Sequence, residues 1–395
     1  MVKKAKDLTF FEATAIITGY GVGAGIMAVP YLTSLSGIFS LCILLGIAYF
    51  ISLLLHFMIA EMMLRDGKSS QLVEIMGKYL FSMEGNRLTR ALGNFFMWFF
   101  FLLIVIAFYA SLLGYVSGGG EILNTLFGIP QWLGFIIFYI IAAGVVFFGL
   151  KIVGVSEKYA IALMVLLVAV LVALSFVKGP VLDFSIRGDA REVLALFGML
   201  MFSFVAFFSI PQAVKGLQWK KRLIPWAVVC GLGLNFIFIV LITLMAVGVS
   251  KEVTKIAIIG WSLALGKPVL IIGSLFVLFA ILTSFWSISL AFAVILEERL
   301  KWKERLAWFA ATAPVLLIAL LGLTDFLGFL TIAGGGIGFL VAILIVPTYV
   351  LVKKNGPVKK PAWEMGKLGG WIFLALVTVG YILMAVGSAL SPAFD

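Results

Sequence analysis

Gly19, Gly21, Gly23 and Gly25 stand at every second position of one apolar run, and Val29-Pro30 closes it. Glycine weakens a helix and an internal proline removes one of its hydrogen bonds, so this run predicts a local unwinding. Close packing of small residues is the competing explanation, but alternate positions do not stay on one helix face. A second run, Phe202-Ser203-Phe204-Val205-Ala206-Phe207-Phe208-Ser209-Ile210-Pro211, also ends on a β-branched residue and a proline. Unwound backbone frees amides that suit a carboxylate and carbonyls that suit an ammonium group or a cation. A zwitterionic α-amino acid carries both charges in one molecule. The backbone at Gly21, Gly23, Gly25, Ser203 and Phe204 is the candidate receiver for its head group, with Tyr20, Tyr109, Phe207 and Phe208 as candidate walls around its side chain. Phenylalanine walls suit leucine or methionine as well as an aromatic ring.

Thr283, Ser284 and Ser287 make a second polar constellation, a hydroxyl stripe at i, i+1 and i+4. Two readings compete. The hydroxyls can bond back to carbonyls of their own helix, as Ser and Thr often do in apolar helices. Alternatively, Thr283 and Ser284 join the freed carbonyls of Gly19, Tyr20 and Val22 around a cation such as Na⁺, since hard cations favour oxygen ligands. Glu61 and Arg65 are four apart and should pair on one helix face. His56, the single histidine, reads as a packed, hydrogen-bonded ring rather than a proton relay. Glu12 reads as part of an inner gate facing a basic residue.

The elements that must position these groups are membrane helices. Of 395 residues 63% are hydrophobic and only 12% charged, with mean hydropathy +1.20. No water-soluble fold of this size hides so much apolar surface. Crossing about 30 Å of hydrocarbon takes roughly 20 apolar residues. On that measure eleven spans are expected, at 9–32, 38–64, 92–117, 131–150, 155–177, 191–216, 223–249, 268–297, 305–323, 327–351 and 368–390. The least secure boundary is at Thr324 and Asp325. The two broken runs lie five spans apart and cross in opposite directions, which is the trace of an inverted-topology repeat. The expected organisation is a single transmembrane domain over 1–395, with helices 1 to 5 (9–178) repeated in helices 6 to 10 (191–351) and an added helix at 368–390.

Twenty-nine basic residues outnumber 18 acidic ones. All but Lys178, Arg187, Arg191, Lys251, Lys255 and Lys267 fall on one side of the expected spans, so the amino terminus is expected in the cytoplasm of a cell membrane and the carboxy terminus outside. The same clustering removes nucleic acid as the partner. The first span lacks a cleavage site and is expected to be retained. Residues 71–80 should lie along the membrane surface, and Ser250 to Lys267 should form a helical hairpin over the outer mouth.

Enzyme chemistry finds no support. There is no His/Cys metal set, no nucleophile elbow and no phosphate loop, and the G-x-G spacing lies within an apolar span rather than after a strand. No cofactor is expected apart from Na⁺. Cys42 and Cys230 both sit inside apolar runs, so no disulfide scaffold is expected.

Four segments together resemble one family. Gly23 to Pro30 is similar to the first-helix motif of the hydroxy/aromatic amino acid permeases and the related amino acid/auxin permeases. Ser203 to Pro211 resembles their sixth-helix motif, Thr283-Ser284-Phe285 their eighth-helix Thr-Ser-Phe, and Gly334-Gly335-Gly336 through Pro347 their tenth-helix glycine–proline pattern. The resemblance runs the whole length and implies an inverted-repeat transporter of the amino acid–polyamine–organocation superfamily. Many relatives carry a histidine in the sixth-helix break, where Phe207 and Phe208 stand here. Some proton-coupled relatives place a lysine amine where sodium would sit, which singles out Lys158. That residue otherwise snorkels to the interface or pairs with Glu157 or a lipid phosphate. A charged amine about 4 Å from Na⁺ would cost on the order of 4 kcal/mol at an effective dielectric near 20. The balance favours protons over Na⁺, with Lys158 as carrier or as a charged stand-in. The expected function is symport of a neutral, hydrophobic or aromatic L-amino acid by alternating access. The alternative is a ligand-sensing membrane subunit of the same fold, as in germinant receptors.

Overall fold

The computed structural model describes residues 7–23, 25–68, 70–82, 86–254, 257–322 and 338–390. Within them the elements are helical. The first broken run divides into α1 (Phe10–Gly21) and α2 (Gly25–Ser36), inclined to each other by 56°. α3 (Ile38–Asp66) leads to the short surface helix α4 (Leu72–Tyr79), which buries Leu72, Val73, Ile75 and Met76. Then come α5 (Arg87–Phe127), α6 (Gln131–Phe147) and α7 (Leu150–Lys178). The second broken run gives α8 (Ala190–Ser203) and α9 (Ser209–Gly216), followed by α10 (Ile224–Val249). α11 (Ala257–Leu265) precedes α12 (Lys267–Leu300) and α13 (Glu304–Leu320), and α14 (Phe339–Asn355) and α15 (Trp371–Ala389) complete the chain.

Six of these helices are long and apolar enough to cross a bilayer, and α1 with α2 adds a bent seventh. The other expected spans hold shorter helices. The Thr324–Asp325 boundary and Gly334 to Gly336 lie outside the described residues. α5 exceeds its expected limits at both ends. At 41 residues and 1.5 Å per residue it is about twice as long as the hydrocarbon is thick. Its exposed Leu88, Leu92, Phe95, Phe99, Leu102 and Ile106 recur every three to four residues, a single apolar face suited to lipid. The mouth segment is corrected. Among the described residues it holds one short helix, α11, rather than a hairpin.

Packing separates two groups. α1, α2, α3, α8 and α10 pack on one another, while α5, α6, α12 and α13 form a second set; α7 bridges them, against α1 and α12. α15 lies chiefly along α8. Gly198 and Gly387 face each other there so closely that a Cβ on either would strike the other helix's backbone.

The ends of the bundle are tied by charge. Thr9 and Glu12 cap α1 reciprocally, and Glu12 also pairs with Lys151 of α7 at 2.5 Å. Leu8 N–H donates to Gly216 O and Trp219 Nε1 donates to Leu8 O, both at 2.9 Å, closing the start of α1 against α9. Glu61 and Arg65 pair at 2.7 Å as expected, with both side chains almost wholly buried. Arg65 continues to Glu364 at 2.8 Å, and Glu61 accepts from Tyr349 Oη and Met365 N, each at 2.9 Å. One ion pair therefore joins α3, α14 and the segment before α15. Removing Glu61 leaves Arg65 with the exposed Glu364 and orphans Tyr349 Oη and Met365 N, each unsatisfied buried group costing about 1–3 kcal/mol. Glu61→Ala should lower the thermal unfolding midpoint of detergent-purified protein accordingly, and an unchanged midpoint would contradict this account.

Candidate functional site

The first break is set by where its hydrogen bonds go. In a continuous helix Gly23 N–H would donate to Gly19 O. Here it donates to Gly21 O at 2.8 Å, and Ile26 N–H turns to Gly23 O at 3.3 Å. Gly19 O and Val22 O, released by this shift, accept instead from Ser284 Oγ of α12 at 2.9 and 3.3 Å. Ser287 Oγ, one turn along α12, lies 3.3 Å from Ile16 O, the longer of its two contacts. Ser284 thus reaches the candidate carbonyls of Gly19 and Val22. The Thr283 hydroxyl bonds back to Ala280 O of its own helix at 3.0 Å, and its Cβ packs against Gly19.

The second break is held by a residue far away in sequence. Ala206 N–H finds no backbone acceptor and donates to His56 Nε2 at 3.0 Å, while His56 Nδ1 donates to Ser52 O at 2.6 Å. With Nε2 accepting, the ring is neutral and protonated at Nδ1. It also packs on Phe207, with centroids 5.4 Å apart. An imidazole is therefore present at this break after all, delivered by α3 rather than by the sixth span.

A cavity lies between the breaks. Tyr20, Gly21, Gly23 and Gly25 line it from the first, and Ser203, Phe207 and Phe208 from the second. The opposite wall is Phe108, Ser111 and Tyr115 of α5, with Gly338 and Val341 at the start of α14. One expected wall residue, Tyr109, is elsewhere, and the side chain of Phe204, whose backbone is the expected receiver, is turned away. Tyr109 is turned about 100° from Phe108 around α5, donates to Ala310 O at 2.6 Å and packs on Phe292. Phe204 is fully buried against Tyr49, behind the cavity.

Lys158 also stands away from the expected place. Its ammonium lies 4.6 Å over the Tyr159 ring, beside Phe11 and Thr14 at a lateral groove, and Tyr159 itself is 65% exposed. The neighbouring Glu157 points inward and is fully buried. Its Oε1 accepts from Ser287 Oγ at 2.6 Å, and its Oε2 occupies the position a Cβ on Gly19 would take. Asn235 of α10 was equally unforeseen. It is buried without a hydrogen-bond partner, its Nδ2 fills the Cβ position of Gly21, and Ser203 O is close by. The available signal was its lone amide inside Gly231-Leu-Gly-Leu-Asn-Phe-Ile-Phe238.

A paired-break cavity between two helix groups, walled by aromatic rings, defines a secondary transporter. The chain belongs to the tryptophan/tyrosine permease family, whose sequence profile matches residues 6–388. Among curated proteins none matches by sequence. Solved structures similar in fold include MhsT in complex with L-phenylalanine, at TM-score 0.68 and 17% identity, covering 98% of this chain and 99% of that one. The nucleobase-cation-symport-1 transporter Mhp1, with bromovinylhydantoin bound, gives TM-score 0.65 at 15% identity, covering 99% and 93%. The manganese transporter of Eremococcus coleocola gives 0.64 at 15%, covering 97% and 89%.

Two substitutions test the breaks. His56→Leu leaves the Ala206 amide unpaired, so thermal unfolding should show a loss of about 1–3 kcal/mol. Gly21→Ala runs into Asn235 and should abolish uptake in vesicles, whereas Gly23→Ala meets Tyr115 and Ser284 only at ordinary contact distances and should still fold. Full uptake by Gly21→Ala would show that Asn235 is free to move aside.

Proposed function

We propose that the protein takes up aromatic L-amino acids, tryptophan and tyrosine foremost, as a secondary active symporter in a cell membrane. The observation that carries this reading is the cavity at the two breaks, where freed backbone meets an aromatic wall. The α-carboxylate and ammonium bind along Gly21, Gly23, Gly25 and Ser203, and the side chain lies among Tyr20, Phe108, Phe207 and Phe208. Family membership supports the substrate class, and the motif likeness to amino acid/auxin permeases and their superfamily agrees with it. Alternating access follows from the packing: α1, α2, α3, α8, α9 and α10 rock against α5, α6, α12 and α13 about this midplane cavity. Eleven spans, the repeats at 9–178 and 191–351 with the added helix at 368–390, and a cytoplasmic amino terminus complete the proposal. The Glu12–Lys151 pair then closes the cytoplasmic side.

The coupling ion is a proton rather than Na⁺. In support, Ser284 and Thr283 both place their hydroxyl protons on carbonyls, Gly19 O and Ala280 O, and neither calls for a cation to satisfy it. Lys158, lying over Tyr159, takes the snorkelling role.

The test is a thermal-shift screen of purified protein against the twenty amino acids. A ligand present at 100 times its Kd stabilises by about 2.7 kcal/mol, so tryptophan, tyrosine and phenylalanine should raise the midpoint clearly. Stabilisation by nucleobases, polyamines or manganese in their place would sink the substrate class. Binding without accumulation in proteoliposomes, under any imposed gradient, would identify a sensor.

A further inference from the structure

Glu157 carries a buried charge problem that the binding of an amino acid does not solve. The residue lies on α7 where α1 and α12 meet, fully buried, and its Oε2 has no hydrogen-bond partner. Ser287 on α12 satisfies Oε1, and Oε2 sits where a Cβ on Gly19 of α1 would be, so a larger residue at 19 would displace it. Ionisable groups on the surrounding helices do not answer the charge. On α1, Glu12 is bound to Lys151 and Tyr20 faces the cavity. Lys267, Glu297, Glu298 and Arg299 stand at the two ends of α12, and Lys215 ends α9. Tyr139 of α6 is within hydrogen-bonding distance of Thr312, Cys230 of α10 is exposed, α11 carries no ionisable group, and Lys158 on α7 itself is turned outward. A lone carboxylate in such surroundings must be balanced by a bound cation or by a proton. Oε2 lies against Gly19 and beside Thr283; a proton on it answers the charge with no further ligand, whereas a metal cation would need several more oxygens gathered around it.

We propose that Glu157 is the proton carrier of transport, taking a proton on Oε2 from water on one side of the membrane and releasing it to water on the other. This rests on the transport reading above and names the group that couples it. The location suits the task. Gly19 is two residues from the cavity-lining Gly21, and α1 belongs to the group of helices that rocks, whereas Ser287 belongs to the group that stays. Movement of α1 away from α7 would open Oε2 to solvent; its return would require the carboxyl to be neutral. Glu157 thus reports the position of the helix that holds the substrate.

The experiment uses the full-length protein in proteoliposomes with Trp and a pH-sensitive dye inside. Exchange of labelled for unlabelled tryptophan, with no gradient, reports transport alone; vesicles of the natural sequence that fail to exchange would refute transport and this assignment together. With exchange established, one pH unit supports at most about tenfold accumulation for one proton per substrate. Glu157→Gln preserves size and the acceptor for Ser287. It should exchange within twofold of the natural sequence at equal thermal stability, yet accumulate nothing and carry no protons. Accumulation by Glu157→Gln equal to that of the natural protein would overturn the proposal, as would natural-sequence accumulation that follows Na⁺ and ignores pH. Ser287→Ala supplies a second reading that does not depend on removing the carboxyl. Loss of its hydrogen bond should shift the pH profile of accumulation, and an unmoved profile would count against Glu157.

Discussion

Backbone that leaves the helix inside a membrane has to be paired inside the protein, because lipid offers neither donors nor acceptors. The architecture around both breaks answers this constraint. Ser284 serves the released carbonyls of Gly19 and Val22, and His56 serves the released amide of Ala206. Each partner comes from a different helix, so neither break can form until distant parts of the chain have assembled. The pairings also leave Gly21, Gly23 and Gly25 facing the cavity.

Chain direction explains why these partners meet. Glu12 lies beside Lys151 and Gly19 beside Glu157, so α1 and α7 run side by side in the same sense. Ser287 reaches Ile16 and Ser284 reaches Gly19, so α12 runs against them. Hydroxyls one turn apart on α12 therefore serve carbonyls about one turn apart on α1, in reversed order. An inverted repeat, as proposed, would supply this antiparallel register.

Local chemistry was legible in the sequence; rotation about helix axes was less so. Glycine spacing and paired prolines located both breaks, and Ser284 meets two of the three carbonyls named for it, Gly19 and Val22 but not Tyr20. Lys158 drew attention because an amine inside an apolar run is conspicuous, yet its neighbour is the buried group. Adjacent helical residues differ by about 100° in direction. Gly154, Glu157, Ile161, Met164 and Val168 recur at intervals of three and four, and this periodicity, read closely, marks Glu157 as core-facing. The same rotation separates Tyr109 from Phe108. His56 and Asn235 were beyond such reading. The amide that His56 accepts from lies 150 residues away, and Gly21, which Asn235 abuts, more than 200, so only the assembled fold brings them together.

The glycine-to-glycine seam between α8 and α15 carries a mechanical consequence. Gly198 and Gly387 approach too closely for either helix to slide without lifting off the other. The last helix is thus an outrigger fastened to the first half of the broken sixth segment, so that any swing of α8 carries α15 with it. α15 also touches the second break, where Tyr381 packs on Phe207 with ring centroids 5.8 Å apart, so the last helix is coupled to the cavity wall as well as to the seam.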